Sequence, residues 1–170
     1  MANKPLNVGI IGGGIAGLTV AVLLRQSGVD VTVFERSRAL SGHGAGVQLS
    51  SNGVKVLRRL GVEHEIQRVA YSPTQIKVIN ARNGKVVLSL PLGEKALKRY
   101  SENFFQIHRT DLIQILLKKA EEVGVRINLA SDAIMKSSNG DFSEIISNKK
   151  KFSFDMAIAA DGVHSLTRDR

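Results

Sequence analysis

Near the N-terminus the chain reads LNVGIIGGGIAGLTVAVLL, from Leu6 to Leu24, a run of 19 residues without a charge. Length and polarity alone would fit a membrane span or the core of a secretion signal. The glycines argue otherwise. Gly12, Gly13, Gly14 and Gly17 fall within six positions, with Gly9 just before them. Glycine at that density serves a tight turn. The stretch therefore reads as an apolar strand over 6–11, a glycine turn, and a buried helix that Gly28 ends. VDVTVFE (29–35) follows, with Val29, Val31 and Val33 alternating and Glu35 last. A strand, a turn, a helix and a strand in about thirty residues make a βαβ module. The fold class expected is α/β, with a parallel sheet of the Rossmann type. No basic segment precedes the run and no small-residue cleavage site follows it, so a cytoplasmic protein without a membrane span is expected.

Each glycine has a physical task in such a turn. Gly12 allows the sharp exit from the strand, Gly14 lets backbone approach a pyrophosphate, and Gly17 lets the helix lie close to the sheet. The N–H groups at the helix start, around Ile15 and Ala16, carry the positive end of the helix dipole and suit a phosphate. Glu35 stands 18 residues after Gly17, placed to accept hydrogen bonds from a ribose diol. An acid there disfavours a ribose 2′-phosphate. The residues point to a bound ADP moiety and leave open whether it belongs to FAD or NAD.

The rest of the composition removes other functions. The chain has no cysteine, and its four histidines (His43, His64, His108, His164) are far apart, so no metal site is expected. None of the four is given a chemical role; they are read as structural or solvent-facing. The net charge of +9 comes from small groups, KVLRR at 55–59, KALKR at 95–99 and NKKK at 148–151. These read as solvated helix faces and hairpin tips. With two tyrosines and six phenylalanines not interleaved among them, no nucleic-acid partner is expected.

Beyond Glu35 and Arg36 the pattern leaves that of a simple dinucleotide domain. A glycine-rich loop, Gly42 to Gly46, fits either close approach to a flat ligand or a flexible connector. A helix is expected from about Ser51 to Leu60, closed by Gly61. QIKVINARNGKVVLSLPL (75–92) reads as two strands around an Asn83-Gly84 turn, the start of a second, antiparallel layer over 71–104. A helix starting near Thr110 or Asp111 ends at Gly124, and VRINLA (125–130) is a short buried strand. Residues 141–160 read as a hairpin with NKKK at its tip, leading into a last parallel strand.

Four stretches, in this order, resemble the FAD-dependent aromatic hydroxylases, the single-component flavoprotein monooxygenases of the salicylate and para-hydroxybenzoate hydroxylase type. They are GIIGGGIAGLTVAVLLRQSGVDVTVFER, GAGVQLSSNGVKVLRRLG, HRTDLIQIL and AADGVHSLTR. The resemblance implies FAD as cofactor, with NADH or NADPH as reductant. It implies hydroxylation of a small aromatic substrate through a flavin hydroperoxide. Gly12, Gly14, Ile15, Ala16 and Gly17 would hold the FAD pyrophosphate, Glu35 the adenosine ribose, and Arg36 would lie beside the adenosine. Gly46 and Val47, in the loop after the second strand, would border the ribityl and ring end. Arg109 would reach the ribityl–phosphate region, and Asp161 with Gly162 would serve both FAD and the nicotinamide. No catalytic side chain is assigned, because the flavin carries the chemistry. Ser50-Ser51-Asn52 stands where many members of that family have a proline before the Asn, which would alter only the helix start.

The same resemblance has gaps. The family's Gly-Asp motif, followed by His and Pro, has no counterpart: Gly140-Asp141 precedes Phe-Ser and sits in a hairpin region. The second part of the substrate sheet and a C-terminal helix are also missing. Residues 1–170 are therefore expected to be an incomplete FAD-binding domain, the N-terminal part of a hydroxylase. The strand next to the missing one in the parallel sheet should present an unpaired edge, and apolar helix faces that should be covered should be bare. The alternative is a truncated, non-catalytic FAD- or ADP-binding module acting through a partner chain, with self-association another outcome of exposed edges.

Overall fold

The computed structural model describes residues 4–40, 44–138 and 142–168. The chain divides into two compact units, Met1–Gly42 with Ile113–Arg170, and His43–Leu112. Gly42, His43 and the Gly140-Asp141 pair fall outside the described residues.

In the first unit, β1 (Asn7–Ile11), α1 (Ile15–Gln26) and β2 (Asp30–Phe34) form the expected βαβ module. Ser27 is the C-cap of α1, and Gly28 follows it at φ +83°, the left-handed position that favours glycine. The helix buries Gly17, Leu18, Ala21 and Val22.

The second unit holds β3 (Gly46–Leu49), α2 (Ser51–Leu60), α3 (Glu63–Val69), β4 (Gln75–Ile79), β5 (Val86–Pro91), α4 (Glu94–Tyr100) and β6 (Phe105–His108). Gly61 caps α2 in the left-handed conformation, as its sequence predicts. At the other end Ser50 is the N-cap; its hydroxyl donates to Asn52 Oδ1 in the first turn and accepts no capping hydrogen bond from a helix N–H. β4 and β5 pair antiparallel around the Asn83-Gly84 turn. One expectation is corrected here. Gly46 and Val47 are not in a loop: they open β3, which pairs antiparallel with β6. Four residues with two apolar side chains give almost no periodicity, and the partner strand lies about sixty residues away in sequence, so pairing and not local pattern makes this strand.

α5 (Arg109–Glu122) begins directly after β6, one residue before the expected start, and Gly124 follows it at φ +81°. β7 (Arg126–Asn128), β8 (Ala133–Ser138), β9 (Ser143–Ser147), β10 (Lys150–Phe154) and β11 (Met156–Ala159) complete the first unit. Its parallel sheet has the order β11-β1-β2-β7. Among the described residues β11 pairs with β1 alone and β7 with β2 alone, so these two strands form the edges of the sheet. The hairpin expected at 141–160 is real, but it gains a third strand, β8, giving the order β10-β9-β8.

This antiparallel sheet lies against the parallel one. Ile11, Phe34, Ile145 and Phe154 form a buried cluster, with Met135 and Phe152 packed on it. The Phe34 ring meets Phe152 and Phe154 edge-on, with centroids 5.0 and 5.9 Å apart. Gly9 marks the closest approach. A Cβ there would stand 2.6 Å from Ile145 Cδ1 and 2.7 Å from Phe154 Cδ2.

Among the described residues, exposed large apolar side chains gather in the second unit, most of them on the β4–β5 hairpin and some on helices, among them Val56, Val69 and Leu97. Val78, Leu88 and Leu90 are each close to half exposed.

Candidate functional site

The glycine turn joins the carboxyl end of β1 to α1. Gly12 takes φ +104°, and a Cβ on it would stand 2.3 Å from the Ala160 carbonyl oxygen. A Cβ on Gly17 would stand 1.9 Å from the Gly12 carbonyl oxygen. Gly17 thus lets the helix close on the turn itself, a tighter reason than the packing on the sheet that its position suggests. Gly14 is different. Nothing lies within 4 Å of where its Cβ would be. It is the N-cap of α1, with ordinary φ of −74°, no side chain capping the helix and no acid in its first turn. Neither internal packing nor backbone strain requires a glycine there, whereas an approaching phosphate would.

Glu35 follows β2 and reaches back to this turn. Its Oε2 accepts the Gly13 N–H at 2.7 Å and its Oε1 accepts the Ser37 N–H at 2.9 Å. Burial works to raise its pKa, but the hydrogen bonds from Ser37 and Gly13, with the charge of Arg36 beside it, hold the carboxyl below its ordinary range. The carboxylate is ionised at neutral pH and keeps unused lone pairs.

Asp161 follows β11. Its Oδ2 accepts the N–H of Leu166 at 3.0 Å, the N–H of Thr167 at 3.2 Å and the Thr167 hydroxyl at 3.0 Å. Burial again works against ionisation, and hydrogen bonds involving Ser165 and Thr167 outweigh it, so this pKa also lies below the ordinary value. Asp161 therefore folds the chain that follows it, across the single 3₁₀ turn Gly162–His164. Gly162 has φ +77° and open space at its Cβ position.

Gly12, Glu35, Arg36 and Asp161 share one cavity of about 60 Å³. Ser131, Asp132, Ala133 and His164 complete much of its wall. Sequence reading missed these four as site residues, His164 having been assigned no chemistry. A usable signal existed for three of them: they follow β7, a parallel strand, and ligands of such sheets gather at carboxyl ends. A second hollow, about 310 Å³, is bordered by Asp161, Gly162, Thr167 and Arg168.

The remaining expected residues lie in the second unit. Gly46 pairs with His108 and Val47 with Ile107, which brings both beside Arg109, the first residue of α5. A Cβ on Gly44 would be 3.4 Å from Arg109 Cδ.

Residues 5–170 match the FAD binding domain family. The chain belongs to that family. It is 35% identical to a 3-amino-4-hydroxybenzoate 2-monooxygenase from Streptomyces cremeus, covering 99% of this chain and 42% of that protein. It is 28% identical to a 6-hydroxynicotinate 3-monooxygenase from Pseudomonas fluorescens, covering 99% of this chain and 43% of that one. Among solved structures, the tetrameric form of 2-methyl-3-hydroxypyridine-5-carboxylic acid oxygenase superposes with a TM-score of 0.86 at 28% identity, over 98% of this chain and 42% of that one. CtdE in complex with FAD gives 0.78 at 25% identity, over 95% and 39%. This FAD-binding domain thus spans about two-fifths of the length of the relatives it matches. Among the described residues no helix is long and apolar enough to cross a membrane.

Proposed function

We propose that this domain holds FAD for an NAD(P)H-dependent monooxygenase, cytoplasmic in location, that hydroxylates a small aromatic compound. The carrying observation is Gly14, whose Cβ direction is open at an uncapped helix start, in the same turn whose Gly13 N–H is held by Glu35. In this reading the turn from Gly12 to Gly17, with the amides of Ile15 and Ala16, takes the pyrophosphate. Glu35 takes the ribose hydroxyls, and Arg36 lies along the adenosine. Gly46, Val47 and Arg109 serve the ribityl and ring end, and Asp161 with Gly162 hold the loop that both cofactors touch. Bound FAD would supply the redox and oxygen chemistry; the chain's own residues bind, orient and exclude water. Three of the proteins named above carry hydroxylated benzoic or pyridine acids in their names, which supports a substrate of that class.

The test is direct. The purified chain is titrated with FAD, and flavin fluorescence and bound absorbance are followed. Saturable binding at one FAD per chain supports the reading, and none at excess FAD removes it. NADH and NADPH oxidation with phenolic and pyridine acids then decides the activity. The exposed β4–β5 face supports a second reading, a binding module completed by a partner chain, with residues 71–104 as the beginning of the substrate-side layer. FAD binding without any nicotinamide oxidation would favour it.

A further inference from the structure

The lysine-tipped turn between β9 and β10 takes no part in the site as described, yet its geometry leads back to it. Asn148 and Lys149 both occupy the left-handed region, at φ 48° and 65°. Asn148 Nδ2 donates to the Ala130 carbonyl at 2.9 Å, and its backbone N–H reaches the Asp132 carbonyl at 3.4 Å. Ala130 is itself left-handed, at φ 50°. A residue with a Cβ persists in that region only where its surroundings over-determine it.

Those surroundings are specific. Ala130 N–H donates to the Ser37 carbonyl at 2.9 Å and Ser131 N–H to the Glu35 carbonyl at 2.9 Å. The Ser131 hydroxyl closes the arch on the Leu129 carbonyl at 3.1 Å. One side of the arch is therefore stitched to the backbone of Glu35 and Ser37, and the other side to Asn148. Ser131, Asp132 and Ala133 then line the same cavity as Glu35 and Arg36.

We propose that Asn148 is a positioning residue for the adenosine end of the cofactor: it holds Ala130 left-handed and so sets the 131–133 wall of the cavity before the nucleotide arrives. The inference rests on reading that cavity as part of the FAD site. Asparagine suits the task twice, tolerating positive φ better than most residues and carrying an amide donor for a carbonyl. The lysines beside it keep the tip in water and need no further role.

The test uses the full chain. FAD and ADP are titrated against wild type, Asn148→Gly and Asn148→Asp, and backbone amide exchange is followed in the ligand-free forms. Asn148→Gly keeps the turn and deletes the donor. Asn148→Asp keeps the shape and sets a carboxylate against a carbonyl, and it serves if the glycine variant fails to fold. Both Kd values should rise about fivefold, the effect of one hydrogen bond. Exchange at Ala130 and Ser131 should speed up while β1 and β2 amides keep their protection. Kd values within twofold of wild type overturn the inference, as does faster exchange spread over every strand. Wild type that binds neither FAD nor ADP overturns the underlying reading of the cavity and takes this inference with it.

Discussion

Gly13 donates its N–H to Glu35 Oε2 at 2.7 Å, so the acid after the second strand closes the turn after the first. With the Ser37 N–H on Oε1 and the Ser37 side chain also bonded to the carboxylate, acceptor capacity is still left over, which in the proposed reading serves the ribose. Glu35→Gln has one acceptor oxygen where two are needed, and its amide faces an N–H. FAD affinity should fall about tenfold or more in fluorescence titration, as expected when a charged hydrogen bond is lost.

The same substitution has a pH signature. The Glu35 carboxyl titrates lower in the folded chain than its ordinary value of 4.5. A depressed pKa contributes stability that is full above the unfolded value and disappears as pH falls through the folded one. The gap in urea midpoint between wild type and Glu35→Gln should therefore be largest near neutral pH and shrink below about 4.5. A gap that stays constant down to pH 3 would show that the carboxylate's charge is not what stabilises the turn.

Gly17 and Gly14 separate folding from binding. Gly17→Ala sets a Cβ 1.9 Å from a backbone oxygen that cannot move aside, so the midpoint of thermal unfolding should drop sharply. Gly14→Ala meets nothing within 4 Å. Its midpoint should stay near that of wild type, while FAD and ADP affinity fall by at least tenfold if phosphate lies against that backbone. Equal loss of stability in both variants would contradict the assignment of Gly14 to ligand approach.

What was legible in the sequence follows from range. The βαβ module, α2 with its Gly61 cap and the Asn83-Gly84 hairpin are each specified within about thirty residues by period and turn chemistry. β3 and β8 escaped because their partners define them: Gly46–Leu49 needs β6, and Ala133–Ser138 needs β9. The site divides the same way. Gly12, Gly14, Gly17 and Glu35 are proposed from spacing, whereas Ser131 and Asp132 come to the cavity wall after a left-handed alanine that no sequence pattern announces.

Arg58 and Glu102 carry a fourth prediction, on the second unit. Glu102 is 3% exposed, and its Oε2 lies 2.6 Å from Arg58 Nη2. The pair is close in distance, but among the described residues Oε2 has no partner in hydrogen-bonding geometry, so charge is what compensates its burial. Arg58→Met leaves that carboxylate buried beside no cation, which is the costly way to break a pair. Its urea midpoint should fall further than that of Glu102→Gln, and the double variant should recover part of the loss.

The β4–β5 sheet gives the last prediction. Cross-strand pairing sets Val78 opposite Leu88 and Ile76 opposite Leu90 on one face. Val78, Leu88 and Leu90 are 49%, 47% and 47% exposed, too large a contiguous apolar surface to be neutral in water. A two-stranded sheet has little stability of its own, so covering this face is worth more to the chain than keeping it wet. Val78→Thr with Leu88→Thr keeps strand propensity and removes the apolar pair. On size exclusion this double variant should elute as a sharper, smaller species than wild type, with FAD affinity unchanged because both positions lie outside the proposed cofactor contacts. Wild type that is already monodisperse and monomeric at high concentration would mean that the face does not drive association. If the double variant instead loses the far-UV signal of the whole chain, the face is part of its own unit's core and not a surface awaiting a partner.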